Sequence, residues 1–207
     1  MKDFNHIPDD SIIQKTIDAL KENGMEAEVV ASGEEAKEKV LSLIPEHAEV
    51  MNMTSITLDS IGLSEEIMES GKYIAIKKQL MAMDRETQAR EMQKLGTAPE
   101  YAVGSAHAVT TDGHVFIASN TGSQLPAYVY AAGKVIWVIG AQKIVENDEQ
   151  AKERVYDYVL PKESVRARKA YGLPDTFNSF VSKLLVVNRE VVPQRIHIIF
   201  VKESLGF

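Results

Sequence analysis

Apolar positions along the first half of the chain alternate between helical and strand spacing. Ile13, Ile17 and Leu20 fall on one face of a predicted helix that Asp9-Asp10-Ser11 can cap and Asn23-Gly24 stops. Met25 to Ala31 then reads as a strand. Ser32-Gly33-Glu34-Glu35 opens a second helix, with Val40, Leu41 and Ile44 inward and its acids in the first turn, where the helix dipole favours them. Glu49 to Thr54 predicts another strand. Thr57 to Ser70 predicts a helix softened at Gly62 and ended by Gly71, followed by a short strand from Lys72 to Ile76 and a helix from Met83 to Leu95 that stops at Gly96. Such alternation favours a mainly parallel sheet with helices on both faces.

The second half departs from this rhythm. Tyr101 to Val109 and His114 to Ser119 are strand-like runs joined by Thr110-Thr111-Asp112-Gly113, and the Asp-Gly step suits a tight hairpin, so an antiparallel pair is inserted. Ser123 to Ala132 predicts a short helix capped by Ser123 with Pro126 in its first turn. Lys134 to Ile139 is apolar without alternation, as in a strand buried on both faces. Asp148 to Val159 is a charged amphipathic helix that Pro161 interrupts or ends, and Lys162 to Ala170 adds a further turn or two. Tyr171 to Ser179 is loop-like, and Leu184 to Val187 and Ile196 to Val201 are closing strands. Without repeats or a Gly/Ser linker, residues 1–207 read as one α/β domain, with a helical lead-in over about residues 1–45.

Composition narrows the function classes. No cysteine is present, so the chain supplies neither a thiolate nucleophile nor cysteine ligands for an iron–sulfur cluster. A net charge of -7 argues against a general nucleic-acid surface, and the basic cluster Arg166-Ala-Arg168-Lys169 reads as a solvated helix face. There is no apolar run of the length that spans a bilayer, and the first ten residues lack a signal-peptide core, so a cytoplasmic protein without membrane insertion is expected.

Polar segments after apolar strands are the candidate sites, because open α/β sheets bind ligands beyond their strand ends. Thr54 and Ser55 precede a predicted helix whose free amides could hold a phosphate or carboxylate, or Thr57 merely caps that helix. Asn120, Thr121, Gly122, Ser123 and Gln124 precede an uncharged and therefore buried helix, and Gly122 permits close backbone approach. The loop is a ligand cradle or a tight turn, and it matches neither the P-loop nor the dinucleotide fingerprint. Arg189 suits bidentate binding of an anion, or a surface pair with Glu190. His107 and Glu190 are the candidates for proton transfer, and the five scattered histidines give no metal-ligand spacing.

These segments resemble the LUD domain family of lactate-utilisation proteins, with its LutC-like and YkgG-like members. The resemblance rests on Gly104-Ser-Ala-His107-Ala-Val-Thr-Thr-Asp-Gly113, on Ile117 to Pro126, on Val138-Ile-Gly-Ala-Gln-Lys-Ile-Val145, and on Asn188-Arg189-Glu190 with Arg195-Ile-His197. Thr54 to Gly62 extends it upstream. It implies a fold similar to the NagB/RpiA/CoA transferase-like superfamily. It also implies a component without a cluster, acting with iron–sulfur partner subunits in oxidation of L-lactate, a 2-hydroxy acid, to pyruvate. A small anionic metabolite is then the expected ligand, and self-association into a homo-oligomer stays open. Two other readings stand beside this one: an independent enzyme acting on a phosphorylated or acyl metabolite, and a structural or regulatory subunit.

Overall fold

The computed structural model describes residues 3–207. The strands are β1 (Glu26–Val30), β2 (Glu49–Asn52), β3 (Ile74–Ala75), β4 (Tyr101–Gly104), β5 (Ala108–Thr110), β6 (Val115–Ser119), β7 (Lys134–Gly140), β8 (Ile144–Val145), β9 (Lys183–Val187) and β10 (Ile196–Val201). The α-helices are α1 (Asp10–Glu22), α2 (Gly33–Leu43), α3 (Ile56–Ser60), α4 (Leu63–Glu69), α5 (Ile76–Ala82), α6 (Ala89–Thr97), α7 (Asp148–Glu153) and α8 (Leu160–Tyr171). Two π-helical stretches, Ala127–Ala131 and Arg154–Val159, complete the helical inventory with a 3-10 turn at Ala141–Lys143. No helix among the described residues is long and apolar enough to cross a membrane.

Six strands form a parallel sheet in the order β1-β10-β7-β4-β2-β3. Its central strand β7 is apolar from Val135 to Ile139 because both faces are covered. Val135, Trp137 and Ile139 of β7 join a core with Ile13, Ile17 and Leu20 of α1. Ile136 and Val138 join the opposite core with Val40 of α2, Leu58 of α3 and Leu63 and Ile67 of α4. Period-two alternation thus sends successive side chains into different apolar layers.

The predicted hairpin forms, with Gly113 at φ +80°, yet it belongs to a second sheet ordered β8-β5-β6-β9. In that sheet β5 pairs parallel with β8, and β6 pairs antiparallel with both β5 and β9. Val109, Val115 and Ile117 pack this sheet onto the same face that α1 covers. The run from Tyr101 to Val109, expected as one strand, is therefore two. Its first part ends in the parallel sheet at Gly104, and Ser105, Ala106 and His107 carry the chain across to β5.

Three helical expectations also change. The helix expected over Met83 to Leu95 starts only at Ala89, as α6, because the Asp84 carboxylate accepts from the Glu86 amide at 2.9 Å and the Thr87 hydroxyl at 2.8 Å and so fixes a turn, and α5 forms ahead of it where no helix was expected. Between α7 and α8 the helix continues through Pro161 instead of stopping. The intervening residues widen into the π-helical stretch, which relieves the clash of a proline ring with the carbonyl four residues back. The helix after Gly122 is shorter than expected, and its regular part is the π turn at Ala127–Ala131.

Candidate functional site

The carboxyl ends of β2, β4 and β7 lie side by side and place three short segments together. Two glycines let neighbouring groups pack directly against these strand ends. A Cβ on Gly104, at the end of β4, would stand 1.7 Å from the Tyr128 hydroxyl. One on Gly140, at the end of β7, would meet Gln142 Oε1 at 2.2 Å and the Glu203 carbonyl at 2.9 Å. Beyond Gly140 the 3-10 turn swings Lys143 into the interior, where it is 2% exposed.

Lys143 Nζ donates to Thr57 Oγ1 at 3.0 Å, to the Ala106 carbonyl at 3.2 Å and to Ser105 Oγ at 3.3 Å. All three acceptors are neutral, and no carboxylate among the described residues pairs with this ammonium. Burial, and secondly the charge of Arg154, push the Lys143 amine down to about 7. Thr57 Oγ1 in turn donates to the Leu205 carbonyl at 3.2 Å, which also accepts from Gln142 Nε2 at 2.9 Å. Leu205 and Gly206 thereby close the site on its outer side. A Cβ on Gly206, at φ +66°, would come within 2.6 Å of Thr57 Oγ1, so this close approach requires glycine.

A second buried cation holds the neighbouring peptide. Arg154 is fully buried where the π-helical stretch begins, and its Nη1 donates to the His107 carbonyl. Its Nε and Nη2 have no hydrogen-bond partner among the described residues. The guanidinium carbon lies 5.2 Å from the centre of the Tyr158 ring and 5.9 Å from that of Phe4, whose π faces offset part of the charge. Burial lowers its pKa to about 10. The side-chain nitrogen and oxygen of Asn52, the last residue of β2, are also buried without partners.

His107 lies between these cations. Its Nδ1 accepts from the Ala118 amide at 3.1 Å. Burial first, and then the charges of Lys143 and Arg154, push the imidazole down to about 3. The ring is therefore neutral near pH 7 and carries its proton on Nε2. It is a hydrogen-bond donor there and a weak base.

The structure brings several of the sequence-predicted residues to this end of the sheet. Ser55 caps α3, accepting from the Leu58 amide at 3.4 Å, and Thr54 is exposed beside it. Asn120 to Gln124 follow β6, and the Gln124 carbonyl accepts at 3.3 Å from the amide of Tyr128, whose hydroxyl packs against Gly104 at the end of β4. The loop is a tight turn held by its own groups: the Gly122 amide donates to Ser119 Oγ at 2.8 Å, and Ser119 Oγ donates to Gln124 Oε1 at 2.9 Å. Gly122 has φ +86°, and a side chain there would run into Lys183. Thr121 and Ser123 hydrogen-bond to each other, and Asn120 Oδ1 accepts from Ser182. Ser123 does not cap the helical turn that starts at Leu125, because its hydroxyl accepts from Thr121 and Pro126 has no amide to offer it.

Arg189 and Glu190 lie at the opposite, amino end of the sheet. Arg189 is exposed and reaches Asn23 Oδ1 at 3.4 Å. Glu190 is in a buried ion pair with Arg195 at 2.7 Å. A surface depression of about 390 Å³ beside it is lined by Lys21, Gly24, Glu190 and Gln194. The residues that sequence pattern did not single out are Lys143, Arg154 and the pairing of Thr57 with Ser105. A signal was present for both cations. Lys143 sits between the apolar β7 run and Ile144-Val145, and Arg154 occupies the buried stripe of its helix beside Ala151 and Val155.

Comparison with known proteins bears on the whole of this arrangement. The family model described as the LUD domain matches residues 13–201. A solved structure similar to this one is the crystal structure of a DUF162 family protein from Deinococcus radiodurans, with a TM-score of 0.56 and 12% identity. The match covers 92% of this chain and 96% of that one, and at this identity it speaks for the fold. No curated protein matches the sequence.

Proposed function

Starting from the fact that the chain belongs to the LUD domain family, we propose that it binds a small 2-hydroxy or 2-oxo acid, such as L-lactate or pyruvate, at the carboxyl end of its parallel sheet. The observation that carries this reading is the pair of buried cations, Lys143 and Arg154, with no carboxylate partner among the described residues. A buried charge is normally paired, and an anionic ligand is the group that would complete both. The Thr57 and Ser105 hydroxyls would orient the ligand's 2-oxygen, and Thr54, Ser55 and the Asn120–Gln124 turn would form the outer wall. Entry would require Leu205 and Gly206 to swing away, breaking the hydrogen bonds from Thr57 and Gln142 at a cost of about 1 kcal/mol each.

In this role the chain is the substrate-binding component of a 2-hydroxy acid oxidation. The electrons leave through iron–sulfur partner subunits, since the chain has no cysteine with which to hold a cluster. Thermal-shift titration tests the ligand class. L-lactate or pyruvate at a hundredfold its Kd should add about 2.7 kcal/mol of apparent stability, and Lys143→Met should abolish the response. Stabilisation by sugar phosphates or CoA esters, with none by the acids, would sink the reading. Recovery of cluster-bearing proteins with the tagged chain, together with lactate oxidation by the recovered assembly, tests the partner half.

A further inference from the structure

Lys143 has a geometry that simple charge pairing does not require. Its Nζ is ringed by two hydroxyls and a peptide carbonyl, and nothing acidic holds it as an ammonium. It sits within hydrogen-bond reach of two groups, Thr57 Oγ1 and Ser105 Oγ, that can both give and take a proton. Resting on the ligand class proposed above, we infer that Lys143 Nζ condenses with the carbonyl carbon of a bound 2-oxo acid to form a reversible imine.

The step balances without any further reagent. The neutral amine adds its lone pair to the carbonyl carbon, the carbonyl oxygen takes up a proton and the nitrogen loses one, giving a carbinolamine. That hydroxyl then leaves as water while the nitrogen lone pair forms the carbon–nitrogen double bond, and the nitrogen's remaining proton balances the one the departing water takes up. Amine and oxo acid have become imine and water, and nothing is oxidised or reduced. Thr57 and Ser105 are placed to relay the protons between nitrogen and oxygen. Lysines used in this way are kept uncharged by desolvation or by a nearby cation. Both conditions are met here, because burial and Arg154 act together on Lys143. The other titratable groups around it are His107, which is neutral, and the buried Tyr128 beside Gly104. The imine would make the site selective for the oxo acid over the hydroxy acid. It would also acidify the protons on the carbon next to the former carbonyl.

Borohydride reduction in the presence of pyruvate tests this on the full chain. The expected product is a single adduct whose mass gain equals the oxo acid plus two hydrogens less one water, mapped to Lys143. Labelling there at pH 7 should exceed that of any other lysine by at least about tenfold, because an ordinary lysine is almost wholly protonated at that pH. Lactate with borohydride should give no adduct. Lys143→Arg should lose the labelling, whereas Lys152→Arg, at an exposed position, should keep it. Deuterium exchange at the pyruvate methyl, followed by NMR in the unmodified protein, gives a readout independent of any variant and should run faster than in free solution. If pyruvate raises the thermal midpoint in a Lys143-dependent way but no adduct or exchange appears, the imine is wrong and the binding site stands. If neither the shift nor the adduct appears, both fall. An adduct on another lysine overturns the assignment.

Discussion

The two ends of the parallel sheet each bury basic side chains and treat them differently. At the amino end, Arg195 is 7% exposed and each of its three guanidinium nitrogens has a partner. It pairs with Glu190 at 2.7 Å and donates to the carbonyls of Tyr128 at 2.6 Å, Val129 at 3.1 Å and Ala132 at 3.3 Å. It thereby ties the end of the Ala127–Ala131 turn to the start of β10. At the carboxyl end, Lys143 and Arg154 are buried at least as deeply and have no carboxylate, and two nitrogens of Arg154 have no partner at all. A cation whose every donor is matched by protein is explained by the fold. One that keeps its charge, or part of its hydrogen bonding, unmatched is explained by something that arrives later.

The largest effect should come from breaking the matched end. Glu190→Ala would leave Arg195 buried opposite no counter-charge and would free the Val192 amide that Glu190 Oε1 accepts at 2.8 Å. A loss of about 3–5 kcal/mol in urea denaturation is expected, the range for uncoupling a buried pair. The double variant Glu190→Ala/Arg195→Met should recover part of it, because the orphaned charge goes as well. If Glu190→Ala costs under about 1 kcal/mol, the amino end is no more firmly matched than the carboxyl end and the contrast fails.

A middle-sized effect tests the burial of His107 and, after it, the charges of Lys143 and Arg154. Its folded value of about 3 lies below the ordinary 6.5, so between these limits the unfolded chain binds a proton that the native state refuses. Stability from this residue is complete above about pH 6.5 and is lost as pH falls toward 3, with a slope of up to about 1.4 kcal/mol per pH unit. His107→Gln can still accept from the Ala118 amide but cannot titrate. Its stability should therefore fall less steeply in acid, separating from the parent by about 2 kcal/mol near pH 5. Parallel acid profiles would mean that neither burial nor the two cations hold the imidazole down.

The same contrast separates what was legible in the sequence from what was not. The parallel core could be read because strands buried on both faces must be apolar throughout, as Val135 to Ile139 are, and because α1 keeps one apolar stripe. The family resemblance, built on the runs around Gly104 and Gln124, led to the family that the 13–201 match establishes. The break at Ser105-Ala106-His107 was marked only by Gly104, a lone glycine in an otherwise strand-like run, because both sheets cover the same core and the residues that cross between them stay uncharged. Without that break, nothing places Ser105 beside Thr57 or Lys143, which are remote in sequence and meet only through sheet order. Arg189 and Glu190 illustrate the converse. They follow β9, but β9 belongs to the second sheet, and the chain must return to the amino end before it can run up β10 parallel to β7.

The smallest effect is the most discriminating. Lys143→Met removes three hydrogen bonds, yet Thr57 keeps its bond to the Leu205 carbonyl, Ser105 Oγ can still turn to the Ala106 carbonyl, and the cost of burying an ammonium disappears. These terms oppose each other, so near pH 7 stability should change by no more than about 1 kcal/mol. Their balance depends on pH. With a folded value of about 7 and an unfolded one near 10.4, the parent's burial penalty is full below pH 7 and is relieved as pH rises through that interval, where the unfolded chain holds the extra proton. The variant compares best with the parent in mild acid and loses ground toward pH 10, a trend that paired urea titrations at the two extremes would reveal. A uniform loss of about 3 kcal/mol or more would make Lys143 a structural tie like Arg195, fully accounted for by Thr57, Ser105 and Ala106, and would leave no charge for a ligand to meet.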